Sequence, residues 1–158
     1  MNDPHLWLKS LHIVSATLLF GTGLGTAFHM LMDHLNGDAR VIAASARHTV
    51  LADWLFTATS GVVQVASGAG LIWLVGYDPL ESWLVVTYGL YLLAGGCWLK
   101  VVQLQYRMRR HAESAVADGA PLPDAYHRDM RLWFVLGWPA FTALIAVFVL
   151  MVFKPDLW

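Results

Sequence analysis

Long uncharged stretches alternate with short charged segments along this chain. Four stretches of 18 to 24 residues contain no Asp, Glu, Lys or Arg, at residues 10–32, 54–77, 82–99 and 132–153. About 20 apolar residues cross the hydrocarbon core of a bilayer as a helix, whereas barrel strands are half that length and alternate with period two. The pattern therefore predicts an all-α fold, a four-transmembrane-helix bundle with helices at about 6–32, 50–76, 82–108 and 131–153.

The composition supports a membrane protein. Hydrophobic residues make up 58% of the 158 residues and charged residues only 13%, whereas a soluble domain has about 25% charged residues. The net charge of −1 leaves no basic surplus for nucleic acid. The single cysteine, Cys97, excludes an internal disulfide and a cysteine cluster. We expect one integral membrane domain over residues 1–158, surrounded by the lipid bilayer and without a nucleic-acid partner.

The first apolar stretch is expected to remain in the mature protein. It is much longer than the core of a cleaved signal peptide, and no basic cluster precedes it. The segment 113–124 is expected to continue the third helix and then to form a loop broken by Gly and Pro.

Basic residues are distributed unevenly between the two sides of the predicted bundle. The two long connections carry Arg40, Arg47, Arg107, Arg109, Arg110, Arg128 and Arg131. The terminal segments carry only Lys9 and Lys154, and the turn at 78–81 carries no base. The positive-inside rule therefore places both termini on the non-cytoplasmic side. The indole rings are expected to mark the interfaces, with Trp7, Trp73, Trp83 and Trp158 outside and Trp54 and Trp133 inside.

Two histidines lie inside the first span. His12 is near its outer end, one turn after Lys9, and His29 is near its inner end, on the broad face of Gly21 and Gly25. This glycine pair would permit close approach of a neighbouring helix or of a flat macrocycle. The two histidines are about 25 Å apart along the axis, so they cannot share one metal ion. Ionisable groups within a span indicate a functional site, although His12 can also be a hydrogen-bonded residue inside the bundle.

The second span carries a polar stripe along one helix face. Its members follow the spacing i, i+4, i+7, i+11 and i+14, and they are Asp53, Thr57, Ser60, Gln64 and Ser67. Such a stripe is expected to face inward, because lipid cannot satisfy these groups. The side chains can bond neighbouring helices, at about 0.6–2 kcal/mol each. They can also line a proton path or a cofactor.

The third span carries Lys100, Gln103 and Arg107 at i, i+3 and i+7 near the cytoplasmic side, with Lys100 about two turns from the basic connection. The long stem of Lys100 could reach the basic connection. Asp53, His29 and His48 are expected at a comparable depth, and an Asp53–Lys100 ion pair would relieve two desolvation costs. Pro139 is expected to kink the fourth helix.

The seven histidines point to an imidazole-ligated centre such as b-type haem or copper. Haem requires axial ligands, a flat apolar slot and cations for its propionates. His12 with Lys9 supplies these residue types at the outer face, and His29 or His48 with Lys100 supplies them at the inner face. His12 is the leading metal ligand. At the outer face the second ligand is left open between His5, Met151 and no second ligand. At the inner face the candidate ligands are His29, His34, His48, His111 and His127.

Four segments carry a resemblance to a known family. They are WLKSLHIVSATLLFGTGLGTAFHM, VLADWLFT, LYLLAGGCWLKVVQLQYRMR and YHRDMRLWFVLGWPAFTALIAVFVLMVFKP. Together they resemble a family of bacterial predicted integral membrane proteins, domain of unknown function 2269. This resemblance implies a multi-pass protein of the bacterial inner membrane, and it implies no established activity.

The layout is also distantly similar to HemJ-type membrane protoporphyrinogen oxidases and to CopD-like membrane domains. The oxidase motifs have counterparts here in Lys9/His12, Lys100/Tyr106 and Lys154/Pro155. The resemblance implies that His12 binds haem. The third helix has Tyr106-Arg107 where the oxidases have Tyr-His, which counts against the oxidase activity more than against the haem.

Three functions follow from these observations. In the first, the protein binds haem b through His12 and passes electrons to the quinone pool or to another membrane redox protein. In the second, it transports protons, a metal or a small solute, or is an accessory subunit without haem; the polar stripe lines the path and Lys100 gates it. A transporter of four short helices would need a homo-oligomer. In the third, the polar groups only fix the helix register.

Overall fold

Four long helices make up most of the chain. The computed structural model describes residues 3–158, which form α1 (Pro4–Asn36), α2 (Ala39–Val75), α3 (Ser82–Asp118) and α4 (Asp124–Phe153). All four are long and apolar enough to cross a membrane, and residues 3–158 contain no strand. The predicted all-α architecture of four transmembrane helices is confirmed.

The helices extend beyond the predicted apolar spans. α2 begins at Ala39, and its first segment packs on α3. The buried side chains of this segment recur at helical spacing, and they are Ile42, Ala43, Ala46, Thr49 and Val50. This amphipathic segment, which the charge pattern assigns to a connection, is therefore helical. α3 continues to Asp118, and Gly119 ends it in the left-handed conformation at φ 61°. A helix of 37 residues is about 55 Å long, so α2 and α3 project beyond a hydrocarbon core of about 30 Å.

The helices run antiparallel and leave two distinct ends. The terminal end holds both termini and the turn at 76–81, and the connection end holds the links at 37–38 and 119–123. α1 packs along α2, most extensively on its second half, the first half of α2 packs on α3, and α3 and α4 share a long interface. Phe20 of α1 meets Phe141 and Phe148 of α4 edge to face, with ring centroids 5.6 and 5.5 Å apart.

The apolar core lies towards the connection end. Its buried members come from all four helices, and they are Met30, Ile42, Ala43, Leu104, Met108, Ala112, Tyr126, Met130 and Trp133. Within the apolar spans themselves, only 6% to 17% of the residues are buried inside the chain. Most apolar side chains therefore face outward, as expected for helices surrounded by lipid.

Two features of the packing differ from what the spans alone suggest. Trp83 and Trp133 are 5% and 7% exposed, so these two indoles pack inside the chain and do not face lipid. Gly21 and Gly25 have no neighbouring atom within 4 Å of the position that a β-carbon would occupy. No helix uses this glycine pair for close approach, because α1 turns a different face to α2.

Candidate functional site

A seam of polar side chains joins α1 to α2. The members of the polar stripe are all buried or partly buried, and His12 and Ser15 of α1 complete the row. We call this set the polar seam: His12, Ser15, Asp53, Thr57, Ser60, Gln64 and Ser67. The stripe faces inward because α1 packs along this face of α2, which shields the polar groups from lipid.

His12 is fixed at the terminal end of the seam by a hydrogen bond to α2. Its Nδ1 lies 2.8 Å from Oγ of Ser67. The Ser67 hydroxyl donates its own proton to the carbonyl of Val63, at 2.6 Å. Since a hydroxyl has one proton, Ser67 Oγ accepts from His12, and Nδ1 carries the imidazole proton. The neutral ring then leaves Nε2 unprotonated, as an acceptor or a ligand.

The next link of the seam joins Ser15 to Gln64. The Ser15 hydroxyl donates to Oε1 of Gln64 at 2.6 Å. Small residues allow the two helices to approach at this level: a β-carbon at Gly68 would lie 3.3 Å from Cε1 of His12, and one at Gly70 would lie 2.9 Å from a methyl group of Leu8. The glycines that permit close packing are therefore those of α2, and no simple motif in the sequence marks them.

Asp53 lies at the other end of the seam, where α2 changes its winding. Residues Asp53–Ala58 form a π-helical segment, a feature that is frequent at functional sites. The Asp53 side chain is buried, and its Oδ1 accepts a hydrogen bond from the Thr57 hydroxyl at 3.0 Å. The side chains of Gln105 and Trp98 of α3 face the carboxylate. We call Asp53, Thr57, Trp98 and Gln105 the Asp53 cluster.

The Asp53 cluster contains polar atoms without hydrogen-bond partners. They are Asp53 Oδ2, Trp98 Nε1 and Gln105 Oε1, all inaccessible to solvent. Buried polar atoms are usually paired, so this cluster is incomplete as it stands. Sequence reasoning missed Trp98 and Gln105, because their contact with Asp53 depends on how α3 packs against α2.

The other predicted site residues lie outside the seam. Lys9, His29, His48 and Lys100 are all exposed on the bundle surface. The expected Asp53–Lys100 ion pair is absent from the ion pairs of residues 3–158. Lys100 faces outward because the side of α3 that packs on α2 is the one carrying Trp98 and Gln105.

A charged cluster at the connection end was not assigned from the sequence. Arg107 Nη2 of α3 lies 2.9 Å from Oδ1 of the buried Asp129 of α4, and His111 Nε2 lies 3.9 Å from Oδ2. Arg107 and His111 are four positions apart on one helix face, which is the only sequence signal for this contact. The cluster joins α3 to α4 outside the apolar spans.

His34 and Tyr126 form a second contact at the connection end, also outside the apolar spans at 10–32 and 132–153. His34 Nδ1 lies 3.2 Å from the Tyr126 hydroxyl. Burial, and then the charge of His127, lower the pKa of His34 below its usual 6.5. Burial, and then the charge of Asp33, raise the pKa of Tyr126 to about 12. Both side chains are therefore neutral at pH 7.

The terminal end carries two open clefts. One is apolar, about 520 Å³, and includes Trp73, Tyr77 and Tyr88 in its lining. The other, about 510 Å³, includes Trp83 and Lys154, and the Lys154 ammonium bonds the Tyr77 hydroxyl and lies 4.6 Å from the centroid of its ring. His12 lines neither cleft.

Comparisons with known proteins give one family. No curated protein and no solved structure matches the chain. Residues 6–155 match the family described as predicted integral membrane protein, DUF2269. This match covers nearly the whole chain, and it agrees with the four apolar helices. The chain therefore belongs to the DUF2269 family of predicted integral membrane proteins.

Proposed function

We propose that this protein transfers protons across the membrane along the polar seam. The observation that carries the proposal is the polar seam, in which two hydrogen bonds join α1 to α2 and a third joins Thr57 to Asp53 within α2; a titratable group, His12 or Asp53, lies at each end. Chains of Asp, Glu and His within spans are typical of proton relays. Asp53 and Ser67 are about 20 Å apart along α2, so the seam covers much of a hydrocarbon core about 30 Å thick.

Protons fit the seam better than a larger solute does. The links His12–Ser67 and Ser15–Gln64 are direct hydrogen bonds, and neither described cleft opens onto them. Between Gln64 and Asp53 the proposed relay requires water to bridge Ser60 and Thr57, and a water-mediated hydrogen bond is nearly as favourable as a direct one. Residues 3–158 contain no group of three or more His, Cys, Asp or Glu side chains that could hold a metal ion.

Proton flux into liposomes tests the proposal. A potassium diffusion potential supplies the driving force for protons across the liposome membrane. The reconstituted protein should then change the luminal pH, which a trapped pH-sensitive dye reports. D53N and H12Q should reduce the rate to that of protein-free liposomes. H29Q and D118N are matched controls, because His29 and Asp118 are exposed and outside the seam; they should retain the wild-type rate. Wild-type flux in a folded D53N variant would refute the proposal.

A second candidate function is redox chemistry with haem b bound through His12. The Ser67 hydroxyl accepts a hydrogen bond from Nδ1–H of His12. Nε2 of the ring is then free to bind a metal, as in haem-ligating histidines. Lys9, one turn away and exposed, could pair with a propionate. However, His12 lines neither of the two clefts at the terminal end, so the ligand chemistry fits haem while neither cleft offers a slot for the ring beside His12. We therefore rank this function second.

A visible spectrum tests the haem. Protein expressed with a haem supply should show a Soret band that weakens in H12A and persists in H29A. Colourless, folded wild-type protein would refute haem binding. Were haem present, the quinone pool or another membrane redox protein would be the electron partner, and a homo-oligomer could complete the slot with its lipid-facing apolar surfaces.

A further inference from the structure

The Asp53 cluster places a carboxyl group in an apolar interior without a compensating cation. Asp53 is 3% exposed and Gln105 is 2% exposed. No Lys, Arg or His side chain of residues 3–158 lies within 4.0 Å of the Asp53 carboxylate. The basic side chains in the neighbouring turns of α1, α2 and α3, namely His29, His48 and Lys100, are all exposed. Two other titratable side chains flank the cluster on α3: Cys97 is half-buried, and the exposed Tyr106 accepts a hydrogen bond from Trp54 Nε1 at 2.9 Å.

An unpaired carboxylate in such a position is costly, because the free energy of taking an isolated charge out of water is large. A bound cation would remove this cost, and the cluster indicates which cation. The Trp98 indole is a donor only, so it cannot ligate a metal ion and it suits a neighbouring acceptor. The unpaired atom of Gln105 is Oε1, an acceptor, so a proton on the unpaired Asp53 Oδ2 would give this oxygen a donor.

We propose that Asp53 is a proton-binding site that is neutral in the resting protein, and that Trp98 and Gln105 are positioning residues for its ionised form. When Asp53 releases its proton, the O–H bond breaks, the electron pair stays on the carboxylate and the proton passes to water in the polar seam. The Trp98 N–H and the Gln105 amide then have a charged acceptor, and hydrogen bonds to ionised groups are shorter and stronger than neutral ones. In the structure the unpaired atoms are Trp98 Nε1 and Gln105 Oε1; this oxygen can accept from the protonated carboxyl group, and Trp98 Nε1 gains a charged acceptor when the proton leaves.

This inference rests on the proposed function for its role in transport, but infrared spectroscopy tests the site separately. Reconstituted full-length protein at neutral pH should show a C=O stretching band of a protonated carboxyl group, absent in D53N. W98F and Q105L should change the frequency of this band without removing it. W138F is the matched control, because Trp138 is 66% exposed on α4 and outside the cluster; its band should equal that of the wild type.

Three results would overturn the inference. The first is a D53N spectrum that retains the band, and the second is a frequency unchanged in both W98F and Q105L. The third is loss of the wild-type band when sodium replaces a large organic cation at constant pH, since that result assigns the site to sodium. Should D53N fail to fold, wild-type protein labelled with ¹³C at aspartate carboxyls replaces it, and an unshifted band excludes Asp53. If the carboxyl band behaves as expected but the protein shows no proton flux, the proposed function is refuted and the proton-binding site at Asp53 stands.

Discussion

The imidazole of His12 rests directly against the backbone of Gly68. A β-carbon at Gly68 would lie 3.3 Å from Cε1 of His12 and 3.8 Å from Nδ1. This contact and the Ser67 hydrogen bond together fix the ring on α2. The absence of a side chain at Gly68 is thus a condition for the position of His12, although no contact of this kind is visible in the sequence.

Substitutions at Gly68 should test this contact. We expect G68A to shift the ring by a few tenths of an ångström, and G68L to separate α1 from α2 and to lower the thermal unfolding temperature clearly. G89A is the matched control, because a β-carbon at Gly89 would meet nothing within 4 Å. It should be neutral or stabilising, by up to about 1 kcal/mol, since alanine favours a helix. Equal unfolding temperatures for G68L and G89A would contradict the packing.

Replacing Ser67 should change the protonation pattern of His12. In S67A the Nδ1–H loses its acceptor, so the Nδ1-protonated form is no longer preferred, and the fold should lose about 0.6–1.7 kcal/mol. Nitrogen NMR of ¹⁵N-labelled histidine distinguishes the two ring nitrogens and measures the change. T59V, an exposed position on the same helix, should leave the His12 signals unaltered. An unchanged His12 spectrum in S67A would show that Ser67 does not select the tautomer.

Breaking the ion pair between Arg107 and Asp129 should destabilise the connection end. The Asp129 side chain is only 6% exposed, so R107A leaves a buried carboxylate without its main partner and should cost roughly 1.5–3 kcal/mol. R110A removes an exposed arginine of the same turn, which forms no ion pair within residues 3–158. It should change the free energy of unfolding by less than about 0.5 kcal/mol. A double-mutant cycle with D129A that gives no coupling energy would contradict the pair.

The His34–Tyr126 contact should make stability depend on pH in two windows. The pKa of His34 is lowered in the fold, so the unfolded chain binds more protons, and stability should fall as the pH drops below the usual histidine value of about 6.5. The pKa of Tyr126 is raised to about 12. The unfolded tyrosine ionises near pH 10, so stability should fall as the pH rises above that value.

Unfolding measured across this pH range checks both windows. H34Q should reduce the loss of unfolding free energy below about pH 6.5, and Y126F should reduce the loss above about pH 10. H5Q changes a half-buried histidine and Y88F an exposed tyrosine, both at the terminal end. These two control variants should keep the loss of stability in both pH windows. A pH profile that is the same in wild type and Y126F would show that Tyr126 does not contribute.

The orientation predicted from basic residues can be measured by cysteine labelling. In a C97S background, a cysteine replacing Asp118 lies at the connection end and one replacing Leu157 at the terminal end, and both positions are exposed. In intact cells, a membrane-impermeant maleimide should label the Leu157 position and not the Asp118 position. The reverse result would place the termini in the cytoplasm.

The fold was largely predictable, because the membrane imposes it. Charge-free stretches near 20 residues must become helices in lipid, and the spacing of Asp53, Thr57, Ser60, Gln64 and Ser67 places them on one face without knowledge of neighbours. The first segment of α2 was less predictable. It carries Arg40 and Arg47 between its apolar positions. These charges interrupt the apolar pattern, so the segment resembles a connection between spans.

The site was only partly predictable, because it depends on which helix faces meet. The amino-acid sequence by itself determines that the chain spans a membrane, that the second span has a polar face, and that His12 and Asp53 are titratable groups in or beside apolar spans. Only the tertiary structure decides that His12 bonds Ser67, that Lys100 and His29 turn outward, and that Trp98 and Gln105 close over Asp53. The physical reason is that helical periodicity is local, whereas the rotation of one helix against another depends on packing between residues far apart in the chain.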